Sequence, residues 1–270
     1  MQQITLKSFV GRLRLSFYWR SSLLFSRFSL AKKRATDALE YQESKFTQLG
    51  CSRYEALQKL AELDKEKFNS AEFADMHSEH EVILCALKLI GFNPKSILEI
   101  GTYKAETTLL LHRLFPSSKI ETFDLPIDEA QKKRFYHYDQ KLDSILEART
   151  HNLSMASNTT YHEMSSVHLS KSSNSYDLIW IDGSHGYPVV TIDILNSFRL
   201  INDSGWVLCD DVFTNLKNSD SDKDSIATYE TLLELQNIKS IELDFFYKRL
   251  SPESLVWKQR TKYLGLFQKV

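Results

Sequence analysis

Apolar and polar positions alternate in two distinct rhythms along this chain, and the change of rhythm divides it. Over roughly the first 70 residues, Leu6, Phe9, Val10, Leu13, Phe17, Leu24 and Phe28 recur at helical spacing, and Leu57, Leu60, Ala61 and Phe68 repeat the pattern further on. From Ser78 the pattern changes. Ser78 and Glu81 have the spacing of a capping box ahead of the apolar run Val82–Ile90, Gly91 is a helix stop, and Asn93-Pro94 a turn. Short apolar runs then alternate with amphipathic ones. Strands are expected at Ser96–Ile100, Lys119–Phe123, Thr159–His162, Asp177–Ile181 and Trp206–Cys209, and helices at Thr107–Phe115, over 128–150 and at Val189–Leu200. A polar, acidic loop is expected over 215–225, then a helix at Ile226–Gln236 and two more strands at Ser240–Tyr247 and Tyr263–Lys269. Alternating strands and helices require right-handed crossovers and a mostly parallel sheet, so the fold class is α/β and Rossmann-like. The division is a helical N-terminal extension, 1–70, and an α/β domain, 71–270.

Composition changes this picture little. The 270 residues are 42% hydrophobic and 26% charged, with a formal net charge of −1, which gives no general case for nucleic-acid binding. Cys51, Cys85 and Cys209 are odd in number and far apart, which suits a reducing, cytoplasmic setting. No stretch of about 18 apolar residues is present. The N-terminus departs from the average: residues 1–34 carry eight lysines and arginines and no acid. Such a helix can lie on an anionic membrane surface, but Arg20 and Arg27 blur its apolar stripe. Packing on the α/β domain, or on a second copy in a homo-oligomer, is the favoured expectation.

Chemistry concentrates at the expected strand ends. Glu99-Ile100-Gly101-Thr102-Tyr103 takes an apolar strand through an acid into a glycine turn, where backbone can approach a ligand. Asp124 ends the next strand, 25 positions after Glu99, about where an acid meets ribose hydroxyls. Tyr103 and Ala105 stand where a dinucleotide fingerprint prefers glycine. A pyrophosphate would be poorly cradled there, which argues against a dinucleotide. Further on, Asp182 ends one strand and Asp210-Asp211 another. Three carboxylates meeting at one sheet edge repel each other, and Mg²⁺ among them would relieve that and acidify a substrate hydroxyl. His185, three residues past Asp182, could take the proton. Turn and capping roles for the same residues stay open at this level.

These motifs carry a resemblance. The segment from about Ser96 to Phe213 resembles class I S-adenosylmethionine-dependent methyltransferases, most closely a small branch with an "EIGT" first motif and an "IDGxHxY" fourth-strand motif. Here those read Glu99-Ile100-Gly101-Thr102 and Ile181-Asp182-Gly183-Ser184-His185-Gly186-Tyr187, and Tyr263–Phe267 looks like the branch's last strand. The resemblance implies a seven-stranded sheet whose last strand is antiparallel. It implies that Glu99, Gly101 and Thr102, with Tyr103 in the same loop, hold the methionine part of the cofactor. Asp124 would hold the ribose, Ser165 and Ser166 would lie near the adenine, and Asp182 would border the cofactor as well as a metal. The spacing of Asp182 and Asp210 is similar to that in metal-dependent catechol and sugar O-methyltransferases. Asp211 matches the third ligand of the sugar type, and His185 aligns with the lysine of the catechol type. The implied activity is Mg²⁺-assisted O-methylation of a sugar, glycan or other small acceptor. Metal-independent transfer with His185 as base, and a non-catalytic binding protein on the same fold, are the alternatives.

Overall fold

Strand residues of this chain point alternately to two apolar layers, so both faces of the sheet must be covered. In the computed structural model the described residues are 33–63, 78–126, 139–214, 225–250 and 261–270. They form helix α1 (33–49), α2 (Arg53–Leu63), α3 (Glu79–Leu89), β1 (Ser96–Ile100), α4 (Glu106–Leu114), β2 (Lys119–Asp124), α5 (Asp139–Met155) and β3 (Thr159–Glu163). A 3₁₀ turn (Ser166–Lys171), β4 (Tyr176–Ile181), α6 (Val189–Leu200), β5 (Ile201–Val212), α7 (Ala227–Asn237), β6 (Ile241–Tyr247) and β7 (Tyr263–Lys269) follow. The basic helix expected at the N-terminus falls outside the described residues up to residue 32, as do 128–138 and the acidic stretch 215–224.

The sheet has seven strands in the order β3-β2-β1-β4-β5-β7-β6. All neighbours are parallel except β7, which runs antiparallel to both β5 and β6. This is the Rossmann-like sheet with an antiparallel closing strand that the motifs imply. Leu178, Trp180, Leu208 and Leu266 face one layer, with Phe46, Leu60, Ile83, Leu84 and Leu111 from α1 to α4. Ile179, Ile181, Val207 and Phe267 face the other, with Val190 and Ile194 of α6 and Leu232 of α7. Each such fully buried side chain contributes about 1.5–3 kcal/mol. The connection from β1 runs outward to β2 and β3, whereas β4 and β5 return on its other side. The carboxyl ends of β1 and β4 therefore form the switch point at which an open α/β sheet leaves a crevice.

Two local expectations need correction, and one element goes beyond them. Ser78 makes no side-chain cap to α3; instead the Glu79 N–H donates to the Lys248 carbonyl at 2.9 Å, a partner supplied by tertiary structure. Strand β5 begins at Ile201, not Trp206, because Ile201 pairs with Tyr176 before the register shifts. The polar run Asn202-Asp203-Ser204 hides that start in the sequence. The segment Ser166–Lys171, for which the sequence pattern gives no element, is a 3₁₀ helix capped by Ser165.

Helices α1 and α2 share the core with the sheet rather than standing apart: Phe46, Ala56 and Leu60 are buried in the layer that holds Trp180. A buried ion pair ties them down. Arg53 grips Glu79 with a two-pronged contact, Nε to Oε2 at 2.7 Å and Nη2 to Oε1 at 2.6 Å, and the Glu79 side chain is fully buried. Removing the guanidinium leaves a buried carboxylate short of its counter-charge. Arg53→Met is expected to lose about 3 kcal/mol of stability, measured by urea denaturation.

Candidate active site

The crevice at the switch point is built from backbone first. Gly101 follows β1 with φ +100°, and a Cβ there would lie 2.2 Å from the Asp182 carbonyl oxygen, so only glycine lets the two strand ends meet. The Asp182 N–H donates to the Ile100 carbonyl and the Gly101 N–H to the Phe123 carbonyl, both at 2.8 Å. Tyr103 (φ 47°) and Ala105 (φ 59°) also adopt the left-handed conformation. The loop thus keeps a glycine-like backbone although two of its side chains are not glycine, at about 1 kcal/mol or more for each.

The side chains expected to meet a cofactor line this loop, and each has a protein partner. Glu99 is buried on β1, where its Oε2 accepts from Thr108 and, at 2.6 Å, from Thr122. Thr102 is buried and shares a 2.7 Å hydrogen bond with Thr122. Tyr103 is half exposed, and its N–H donates to Asp124 Oδ2 at 2.9 Å. Arg149 of α5, which sequence reasoning missed, reaches the same oxygen at 2.7 Å, the Tyr103 carbonyl at 2.5 Å and the Tyr161 hydroxyl at 2.8 Å. A lone arginine in a charged helix gives no sequence signal of this. Ser165 caps the 3₁₀ turn, and Ser166 bears on the buried Asp193, whose carboxyl burial pushes up to about 6 against that contact.

Across the crevice, β4 and β5 bring Asp182, His185, Asp210 and Asp211 together, as the motifs imply. His185 Nε2 stands 3.6 Å from Asp182 Oδ1 and 3.7 Å from Asp211 Oδ2. The loop that carries it is held from α7's approach, where Ser225 Oγ donates to the His185 carbonyl at 3.0 Å. The counter-charge comes from a source the sequence did not reveal. Lys248, just past β6, donates at 2.6 Å to both Asp210 Oδ2 and Asp211 Oδ1. Lys262, just ahead of β7, donates at 2.6 Å to Asp211 Oδ2. The two lysines are neighbours because the Lys248 N–H pairs with the Lys262 carbonyl at 2.9 Å. His80 of α3, stacked on Trp180 at 4.7 Å, also favours the charged form of Asp210.

The charges settle accordingly. Burial raises Asp182 well above the carboxylate range, and the adjacent Asp210 adds to it. Burial would raise Asp210 too, but Lys248 outweighs it and holds Asp210 far below that range. Burial alone would lower Lys248, yet Asp210, Asp211 and Asp182 keep its ammonium above the ordinary lysine range. Burial lowers His185, with Asp211 and Asp210 opposing. The Mg²⁺ expectation can be tested against these contacts. Asp182, His185 and Asp210 bring ligand atoms within 4.8 Å of one another, and Asp210 Oδ1 is buried without a partner. Asp211, by contrast, spends both oxygens on lysines. In this arrangement Asp211 is taken up by two ammonium groups, which leaves Asp182, His185 and Asp210 as the set that could hold an ion.

Glu99 gives a measurable signature. Burial raises its carboxyl from 4.5 to about 7, opposed by the Thr108 and Thr122 hydrogen bonds. Between those values the folded state holds a proton that the unfolded state has released, so stability falls as pH rises through that window. Glu99→Gln lacks this slope. Relative to wild type it is expected to gain about 3 kcal/mol between about pH 4.5 and about pH 8, read from urea unfolding at each pH.

Comparison with known proteins agrees with this geometry. Residues 98–212 match the family model described as a methyltransferase domain. No curated protein matches the chain by sequence. The fold is similar to that of a cofactor-bound protein from MTB, Rv0187, at 17% identity and a TM-score of 0.52, covering 80% of this chain and 87% of that one. It is also similar to the O-methyltransferase TomG from Streptomyces achromogenes, involved in tomaymycin synthesis and solved in complex with SAM, at 15% identity and a TM-score of 0.50 over 84% and 95% of the two chains. A Klebsiella pneumoniae protein assigned as an O-methyltransferase has a TM-score of 0.52 at 16% identity, over 79% and 89%. Residues 98–212 thus match a methyltransferase domain, and the chain shares the fold of these O-methyltransferases.

Proposed function

We propose that this methyltransferase carries the methyl group of S-adenosylmethionine to a hydroxyl of a small acceptor, such as a sugar or another polyol. The observation that carries the proposal is the junction of Gly101 with Asp182: it joins the cofactor-side loop to the strand end that presents His185. Glu99, Gly101, Thr102 and Tyr103 would hold the methionine end of the donor. Asp124 would take the ribose, with Arg149 yielding part of its grip, and Ser165 and Ser166 would border the adenine.

For the reaction, His185 Nε2 accepts the proton of the acceptor hydroxyl. The oxygen attacks the methyl carbon as the carbon–sulfur bond breaks, and the electron pair returns to sulfur. Held close and in line, the reactants need little else from the protein than charge placement. Lys248 and Lys262 supply that, keeping Asp210 and Asp211 ionised and fixed beside His185. In this reading the lysines do the work that a metal does in metal-dependent relatives. A second reading places Mg²⁺ on Asp182 and Asp210, favoured by the partnerless Asp210 Oδ1; bound there, the ion would acidify the acceptor hydroxyl.

Among the described residues no helix is long and apolar enough to cross a membrane. Contact of the basic segment 1–34 with an anionic membrane surface, self-association and a cytoplasmic setting are further proposals, resting on the N-terminal charge pattern and on the three free cysteines.

Two measurements test the proposal. Calorimetric titration with S-adenosylhomocysteine is expected to show one site per chain; no binding by well-folded protein would favour the non-catalytic alternative. Transfer of labelled methyl from S-adenosylmethionine to catechol and a panel of sugars is expected to survive EDTA. Lys248→Met should lower its kcat by about 100-fold. Activity abolished by EDTA and restored by Mg²⁺ would establish the second reading.

A further inference from the structure

The site described so far uses Lys248 as its central cation, and Lys248 follows the last residue of an edge strand. Edge strands have one unpaired side, and β6 bonds only to β7 in the sheet. Along its other side lies α1, which meets it residue by residue. Lys45 pairs with Asp244 at 2.5 Å, the Tyr41 hydroxyl donates to the Phe245 carbonyl at 2.8 Å, and Phe46 stands edge-on to Phe246 with ring centres 5.5 Å apart. The contact ends at Gln42. Its Oε1 accepts from the Tyr247 N–H at 2.8 Å and its Nε2 donates to the Tyr247 carbonyl at 3.2 Å, as a neighbouring strand would. The same Nε2 is 3.1 Å from Glu79 Oε2. Glu79, in the grip of Arg53, donates its own N–H to the Lys248 carbonyl at 2.9 Å. Gln42 and Glu79 are both fully buried.

We infer that Gln42 and Glu79 are positioning residues for Lys248, so that the N-terminal helices act on the reaction through the backbone of residues 247–248. The inference rests on the proposed role of Lys248. Edge protection alone would be served by the contacts at Asp244, Phe245 and Phe246. The buried amide at Gln42 does something more specific, since it fixes both backbone polar groups of the residue before the lysine. Glu79 then fixes the carbonyl of the lysine itself. With its main chain pinned on both sides, the Lys248 side chain can be directed at Asp210 and Asp211 with little loss of freedom on reaching them.

The test uses the full chain and an amine-reactive acylating reagent, with labelling at each lysine read by peptide mass spectrometry. In wild type, Lys248 is expected to react far more slowly than Lys119, whose side chain is 72% exposed. Gln42→Met, similar in volume but unable to hold the Tyr247 backbone, should label Lys248 about 10-fold faster than wild type. Its affinity for S-adenosylhomocysteine should be unchanged, and its kcat toward catechol should fall about 10-fold with no change in KM for S-adenosylmethionine. Lys45→Ala, on the same helix, should label Lys248 at the wild-type rate. Equal labelling of Lys248 in Gln42→Met and wild type would overturn the inference, and so would an equal rise in Lys45→Ala, which would mean general loosening. Should Gln42→Met fail to fold, Gln42→Leu replaces it under the same criteria. Labelling does not depend on turnover, so failure to methylate catechol would count against the proposed reaction and leave the positioning result standing.

Discussion

Asp182, Asp210 and Asp211 lie at the ends of adjacent parallel strands, and three carboxylates in so small a volume are tolerable only with positive charge among them. The structure meets that constraint with Lys248, whose ammonium stands 2.6 Å from both Asp210 and Asp211, and with Lys262 on the remaining Asp211 oxygen. Much else depends on this pairing. It draws the start of β7 and the end of β6 to the carboxyl edge of the sheet. It holds Asp210 below the ordinary carboxylate range, whereas burial and the adjacent Asp210 carry Asp182 above it.

The other half of the crevice depends on backbone geometry rather than charge. The turn at Gly101 lies close against the Asp182 carbonyl, and that contact fixes the distance between the β1 loop and the end of β4. Tyr103 and Ala105 hold left-handed backbone without being glycine, and their neighbours explain how. The Tyr103 N–H is held by Asp124, its carbonyl by Arg149, and the Ala105 N–H by the Thr102 carbonyl at 2.6 Å. Strain stored in a loop that surrounding groups over-determine is a common mark of a functional site.

The N-terminal helices join these two halves to the rest of the molecule. They complete the core on the Trp180 face, cover the exposed edge of β6 and end on the main chain beside Lys248. Helices α1 and α2 are thus packed as a layer on the sheet.

How much of this was legible in the sequence follows from the range of the interactions. Period-two and helical apolar patterns are local, so the strands from Ser96 to Cys209 and the helices between them could be read directly, apart from a start of β5 hidden by Asn202–Ser204. The strand ends also indicated where polar groups would gather, since Asp124 ends β2, Gly101 and Asp182 directly follow β1 and β4, Asp210 lies two residues before the end of β5, and parallel strands carry their ends to one edge. What the sequence could not disclose is which charges neutralise those acids. Lys248 and Lys262 are 37 or more positions from the aspartates they bind, and Arg149 is 25 from Asp124. No local pattern encodes such partners. Only the return of β7 between β5 and β6, and the closure of α1 over β6, decided that two lysines would stand beside those carboxylates.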